Sequence, residues 1–256
     1  MAEERRLYRN LGSTPERVRF EEVTAKVGIV KYPMKVPHVE IRDFDNDGWP
    51  DLYTAVVTMR DGNNYPAIYR NLGSASGGLP KFQETAFVHR KDYPGEDDVP
   101  EAGSRVFYPK LVSNHKVMYF APGPSGDFDN DGRLDLFLPS WWPKMPSMLL
   151  KNETLAGHYL DVTAVGSVGI NRMGIGAIVR AYKTGRAEAP GALLASEEIS
   201  TGYGFCSGQP AVAHLGLGAE TNCDLVVTLP HGKGRIIRRN VKANQHLRID
   251  AKPTSK

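Results

Sequence analysis

The sequence is poor in cysteine, in net charge and in long apolar runs. Only 2 cysteines occur in 256 residues, which excludes a small scaffold held together by several disulfides. No apolar run approaches the ~20 residues of a membrane helix, so we expect no membrane span. The net charge is only +3 and the basic residues are dispersed. Because no aromatic and basic platform accompanies them, we expect no nucleic-acid partner.

The chain also lacks the short motifs of common enzyme classes. It contains no GxSxG, GxxxxGK[ST], HExxH or CxxC pattern, which argues against those nucleophile, phosphate and metal-hydrolase sites. Paired carboxylates also serve glycosidases, but there the two acids flank a cleft. In this chain the acids crowd single short loops instead. We therefore expect a protein that is not an enzyme.

Two stretches of the chain are nearly identical: residues 43–51 read DFDNDGWPD and residues 127–135 read DFDNDGRLD. Each has carboxylates at positions 1, 3, 5 and 9 and glycine at position 6. Calcium takes six to eight oxygen ligands, and glycine permits the sharp turn that brings such ligands together. The sequence therefore predicts two Ca²⁺ sites. The predicted ligands are the side chains of Asp43, Asp45, Asp47, Asp51, Asp127, Asp129, Asp131 and Asp135 and the backbone oxygens of Trp49 and Arg133.

Two other interpretations of these loops are weaker. An EF-hand would carry glutamate at position 12 and continue into a helix, but that position holds Thr54 and Leu138. The residues that follow each loop are β-branched and aromatic, which is typical of strands. Clusters of Asp, Asn and Gly also form ordinary turns, but two copies of one frame favour a dedicated ion site.

A second repeat surrounds the loops. The segment Tyr8–Ser13 recurs as Tyr69–Ser74, and 26 glycines and 18 prolines favour short strands joined by turns. Units of about four strands suggest propeller blades. After about residue 155, short apolar runs separated by glycine-rich turns are typical of a small β-sandwich. We predict an all-β chain with blades over residues 1–154 and a sandwich over residues 155–256.

The acidic loops and the Tyr-Arg-Asn-Leu-Gly strands resemble FG-GAP/VCBS-type repeats, the calcium-bearing blades of integrin-like β-propellers. The C-terminal part resembles the ASPIC/UnbV domain, through motifs at residues 171–177, 200–203, 210–218 and 229–232. Their order along the chain is that of the cartilage acidic protein family. The resemblance implies a secreted or surface protein whose propeller binds calcium through the eight aspartates and presents loops to a partner.

The resemblance also implies an incomplete ring, because a full propeller has about seven blades and the chain has two acidic loops. Open strand edges recruit partners or are covered. We therefore expect a partial propeller whose edge is covered by another copy, as in a homo-oligomer, by another chain, or by further sequence of the same protein.

The function that we expect is non-enzymatic: a rigid calcium-bound surface for protein or glycan recognition in extracellular adhesion or matrix assembly. The alternatives are a lectin-like carbohydrate-binding module that uses Trp141 and Trp142, or a structural subunit of a larger assembly that completes the propeller. We expect a secreted or cell-surface location. Because the first residues lack a secretory signal, an intracellular assembly is the alternative.

Three further positions are candidate modification sites. Asn152-Glu-Thr154 matches the N-glycosylation pattern, which matters only on a eukaryotic secretory route. Cys206 and Cys223 could form one disulfide, or remain two buried thiols.

Overall fold

The computed structural model describes residues 6–14, 17–29, 38–60, 63–74, 78–84, 117–119, 123–140, 147–202, 204–205 and 207–252. Within these residues every regular element is a strand, apart from a short 3-10 turn at Pro230–Gly232. The all-β prediction is confirmed. The same residues include no helix that is long and apolar enough to cross a membrane.

The N-terminal part forms two open sheets. Strands β1 (Tyr8–Thr14) and β2 (Arg17–Glu22) make an antiparallel pair. Five strands make the second sheet: β3 (Glu40–Arg42), β4 (Asp51–Arg60), β5 (Asn63–Asn71), β6 (Phe82–Glu84) and β7 (Val117–Tyr119). Strands β3 to β6 follow one another across this sheet, and β7 pairs with β4. A small apolar core supports it, formed by Val23, Val27, Ile29, Leu52, Ala67 and Tyr69.

A third open sheet surrounds the second acidic stretch. It consists of β8 (Ser125–Gly126), β9 (Asp135–Leu138) and β10 (Met148–Leu150), with β9 in the middle. Strand β9 begins at the last aspartate of its acidic stretch, as β4 begins at Asp51. The described sheets are open rather than closed, as expected for blades of a partial propeller.

The C-terminal part is a sandwich of two sheets with strand orders β14-β11-β17 and β13-β12-β15-β16. Its strands are β11 (His158–Gly166), β12 (Ile178–Lys183), β13 (Leu193–Glu198), β14 (Ala213–Gly218), β15 (Asn222–Thr228), β16 (Arg235–Lys242) and β17 (Gln245–Ala251). Alternate residues of both sheets fill one core, such as Leu160 and Val162 from β11 and Leu225 and Val227 from β15. This alternation is what a strand with one buried face requires.

The chain divides into two compact units. One comprises Met1–Arg42, Asp51–Pro122 and Leu138–Met148, and the other comprises Asp43–Pro50, Gly123–Phe137 and Leu149–Lys256. Most of each acidic stretch therefore packs in the same unit as the sandwich. The boundary predicted between residues 154 and 155 stays a prediction, because this division reflects packing in the folded chain rather than independent folding.

Candidate metal centres

The two acidic loops, residues 43–51 (the first loop) and residues 127–135 (the second loop), share one hydrogen-bonding pattern. In the first loop the N–H groups of Asp47 and Gly48 donate to the carboxylate of Asp43, at 3.1 and 2.8 Å. The second loop repeats both bonds at 2.9 and 2.8 Å, through Asp131, Gly132 and Asp127. The local sequence therefore folds each loop around its first aspartate.

Positive φ angles occur at the same places in both loops. Asn46 and Asn130, at position 4, have φ of 57° and 61°, and the position-6 glycines have φ of 93° and 85°. Asparagine and glycine tolerate this left-handed region better than other residues. The DFDNDG sequence thus supplies the two residue types that the tight loop requires.

Three carboxylates converge in each loop. Asp43, Asp45 and Asp51 each offer an oxygen within 4.8 Å of the others, and Asp127, Asp129 and Asp135 do the same. Calcium binds oxygens at about 2.3–2.6 Å, so two ligands on opposite sides of one ion lie up to ~5 Å apart. The observed spacing therefore fits a shared cation of this size, and a purely oxygen donor set fits a hard cation.

The position-5 aspartates take another role in this structure. The carboxylate of Asp47 accepts the N–H of Trp49 at 2.9 Å, and that of Asp131 accepts the N–H of Arg133 at 3.0 Å. Neither belongs to the groups of three. Their ligation of an ion, like that of the Trp49 and Arg133 carbonyls, stays a prediction.

Sequence reasoning missed the residues that hold the last aspartate of each loop. The N–H of Asn71 donates to Asp51 Oδ1 at 2.7 Å, and the N–H of Asn152 donates to Asp135 Oδ1 at 2.8 Å. Asn71 lies in the repeated Tyr-Arg-Asn-Leu-Gly segment and Asn152 in its looser copy, Leu-Leu-Lys-Asn. The repeat of this asparagine was the available signal.

The first loop is held by contacts with the sandwich and with one carbonyl of the second loop. The side-chain amide of buried Asn46 donates to the carbonyls of Gly132 and Gly157, at 2.8 and 3.4 Å. Gly218 N–H donates to the Asn46 carbonyl at 2.7 Å. A Cβ on Gly216 would lie 1.9 Å from Asp43 Oδ2, so only glycine allows β14 to approach the loop this closely.

His214 connects the same loop to the sandwich. Its ring is 2% exposed, with Nδ1 2.7 Å from Asp161 Oδ1 and Nε2 2.8 Å from Asn46 Oδ1. Two carbonyl acceptors fix the orientation of the Asn46 amide, so its oxygen must face the histidine. Both ring nitrogens therefore face oxygens, so the ring bridges Asp161 of the sandwich and Asn46 of the first loop.

Residues 128–130 of the second loop are exposed, and basic side chains neutralise its aspartates. Lys151 pairs with Asp129 and with Asp131, and Arg133 pairs with Asp131. Burial opposes ionisation of Asp131, but the hydrogen bonds from Arg133 and Lys151 prevail and lower its pKa. Burial, with the charges of neighbouring aspartates, raises the pKa of Asp127.

The remaining candidate residues have mixed outcomes. Trp141, Trp142 and Cys206 lie outside the described residues, so the glycan platform and the disulfide stay predictions. Cys223 is buried and has no disulfide partner within the described residues, and burial raises the pKa of its thiol to about 11. The Asn152 side chain donates to the carbonyls of Phe44 and Leu134, at 2.7 and 3.2 Å. These bonds give it a structural role, and its glycosylation stays a prediction.

The fold and the two loops define an all-β protein with two carboxylate clusters suited to a hard cation. The family model described as ASPIC and UnbV matches residues 167–256, which supports the expected C-terminal domain. The match includes His214, Gly216 and Gly218, the residues of β14 that contact the first loop. No curated protein matched the chain. The resemblance of residues 1–154 to FG-GAP/VCBS repeats and to the cartilage acidic protein family stays a prediction.

Proposed function

We propose that the chain is a non-enzymatic calcium-binding β-repeat protein that presents a rigid surface for protein or glycan recognition. One observation carries the proposal: two loops of the same sequence adopt the same backbone and each brings three carboxylates within 4.8 Å. Turn formation alone needs no such convergence of like charges, because carboxylates that crowd together repel one another. A dication between them removes that repulsion.

The loops are placed to couple ion binding to the stability of neighbouring sheets. The last aspartate of each loop is also the first residue of a strand, β4 or β9. Its carboxylate accepts the N–H of an asparagine on or beside the neighbouring strand, Asn71 or Asn152. Free energy gained by ligating the ion therefore stabilises the start of each strand as well as the loop.

Two observations support a function without catalysis. The acids lie at metal-ligand spacing within single loops, whereas glycosidase acids face each other across a substrate. The His214–Asp161 pair resembles a catalytic dyad in composition, but its histidine ring is 2% exposed. A substrate would not reach that ring. Its contact with Asn46 gives the pair a structural purpose.

We further propose a role outside the cell, in adhesion or matrix assembly at a surface. Extracellular calcium modules commonly bind with Kd of about 10⁻⁴–10⁻³ M. Sites of that strength are filled outside the cell and empty in the cytosol. Assembly into a larger β-structure is the second candidate, and the exposed N-terminal hairpin described below favours it.

Calcium titration of unfolding tests the ion site. Calcium at a hundredfold excess over Kd should stabilise the chain by about 2.7 kcal/mol per site relative to chelator. Titration calorimetry should count two ions in the parent and one in Asp45→Ala or Asp129→Ala. Asp250→Ala, which removes an exposed carboxylate on β17, is the matched control and should keep both. An unfolding midpoint that calcium leaves unchanged would refute the proposal.

A further inference from the structure

The hairpin β1–β2 is a structural copy of the strand pair β5–β6. Asn10 opposes Phe20 in the first pair, and Asn71 opposes Phe82 in the second. In both pairs the tyrosine two residues before the asparagine opposes a glutamate. The side chains of the two asparagines also make the same turn, each accepting the N–H of the glycine two residues later, at 2.7 and 3.0 Å. The two pairs therefore have matching edges.

The matching edges differ in what lies beside them. The outer edge of β5 is covered by β4, and there the N–H of Asn71 donates to Asp51 Oδ1 at 2.7 Å. Asn152 makes the equivalent bond to Asp135. Within the residues that the structure describes, β1 has β2 as its only neighbouring strand. By the shared register, the N–H of Asn10 faces the edge that β4 would occupy.

Side chains at equivalent positions of the two strand pairs differ in their exposure to solvent. Tyr69 is fully buried beneath its neighbouring strands, whereas Tyr8, its counterpart on β1, is 49% exposed. Val18 and Phe20 on β2 are 59% and 58% exposed. An exposed strand edge that carries large apolar side chains is a template for pairing with another strand.

The charge of the hairpin matches an acidic partner. Arg9, Arg17 and Arg19 are all exposed on β1 and β2. They outnumber the two glutamates of the pair, Glu21 and Glu22, and Glu21 opposes Arg9 and also pairs with Lys26. A segment like Asp43–Arg60 carries three aspartates before its strand and a fourth at the first position of the strand. Such a segment complements the hairpin in charge and supplies the carboxylate that the N–H of Asn10 lacks in the described chain.

We propose that the outer edge of β1 binds a partner strand of the acidic-loop type, whose position-9 aspartate accepts the N–H of Asn10. The register of β4 on β5, where Leu52 opposes Tyr69, places the residue after that aspartate opposite Tyr8. This proposal deepens the recognition role proposed above and rests on its repeat architecture, but it does not require that the loops bind calcium.

The probe is a labelled synthetic peptide of residues 43–60, added to the full chain and followed by fluorescence anisotropy and amide hydrogen exchange. We expect saturable binding and slower exchange at the β1 amides. Asn10→Pro removes the N–H, and an edge position tolerates proline. Asn10→Ala also loses the asparagine side chain but keeps the N–H, so it is the matched control. Proline should weaken binding by about tenfold or more, as loss of a charged hydrogen bond predicts, and alanine by much less.

A peptide that carries Asp51→Ala should bind the parent chain about as weakly as the unchanged peptide binds the Asn10→Pro chain. The proposal is wrong if β1 gains no protection at ~1 mM peptide, the range of weak contacts, or if Asn10→Pro binds as well as the parent. The proposal is also wrong if, without peptide, amide exchange at β1 slows as the concentration of the chain rises. In that case a second copy of the chain would bind the edge of β1. Each titration is run in calcium and in chelator. Binding in both media with no calcium effect on unfolding would refute the calcium site and leave this proposal intact.

Discussion

The two acidic loops share six consecutive residues, one backbone conformation and one hydrogen-bonding pattern, yet positions 2 to 4 have opposite surroundings. In the first loop Phe44, Asp45 and Asn46 are buried. In the second loop the three corresponding residues, Phe128, Asp129 and Asn130, are exposed. Hydrogen bonds from β14 and from His214 hold the first loop, whereas Lys151 and Arg133 neutralise the second. Identical local sequence therefore fixes the loop, and the tertiary environment decides its burial and its counter-charges.

The position-2 phenylalanines should separate the loops most strongly. Phe44 is 4% exposed and Phe128 is 47% exposed. Phe44→Ala leaves a cavity and should destabilise the chain by about 3–5 kcal/mol, while Phe128→Ala at the surface should change stability by less than about 1 kcal/mol. Urea unfolding of both variants measures the difference. Equal losses would show that the two loops are buried alike.

The position-4 asparagines give the next largest difference. Alanine tolerates positive φ less well than asparagine, at a cost of about 1 kcal/mol in each variant, so the difference between the two variants isolates the hydrogen bonds. Asn46→Ala also leaves the buried Gly132 carbonyl and His214 without their partner, and should lose about 2–4 kcal/mol in total. Equal losses in the free energy of unfolding for Asn46→Ala and Asn130→Ala would contradict the hydrogen bonds assigned to Asn46.

Acid should act on the second loop through Asp127. In the folded chain Asp127 holds its proton more tightly than its ordinary pKa of 3.8 implies, because it is partly buried. Without an ion, charging it therefore costs stability above that pKa, and the cost disappears as the pH falls. With an ion bound the sign reverses, because protonation removes a ligand. In Asp45→Ala only the second loop can bind calcium. As the pH is lowered in this variant, the rise in unfolding midpoint that calcium causes should begin to shrink above pH 3.8 and should continue to shrink below it.

The smallest expected effect concerns the counter-charge of the second loop. The carboxylates of Asp129 and Asp131 raise the pKa of Lys151, so its ammonium competes with a cation for those oxygens. Lys151→Met keeps the apolar stem and removes the charge. It should strengthen calcium binding at the second loop by a small factor and leave the first loop unchanged. Titration calorimetry of Lys151→Met in the Asp45→Ala and Asp129→Ala backgrounds reads each loop alone, and a gain confined to the first loop would contradict the assignment.

Periodicity and turn chemistry were enough to predict the all-β fold, both loops and short strands after about residue 155. Strand β13 (Leu193–Glu198) has a sequence, LLASEE, with weak strand preference. Its pairing with β12, where Ala195 opposes Ala181, overrides that preference. Local patterns report local conformation, so an element that is stabilised mainly by its neighbours leaves little signal.

The sequence by itself determined the conformation of the loops, since each DFDNDG segment makes its bonds within a few residues and needs nothing from elsewhere in the chain. Only the tertiary structure decided that Asn46 meets His214, 168 positions away, and that Asn71 and Asn152 hold the last aspartates. Hydrogen bonds between distant segments depend on how sheets pack, and two loops of one sequence can be packed in two different ways.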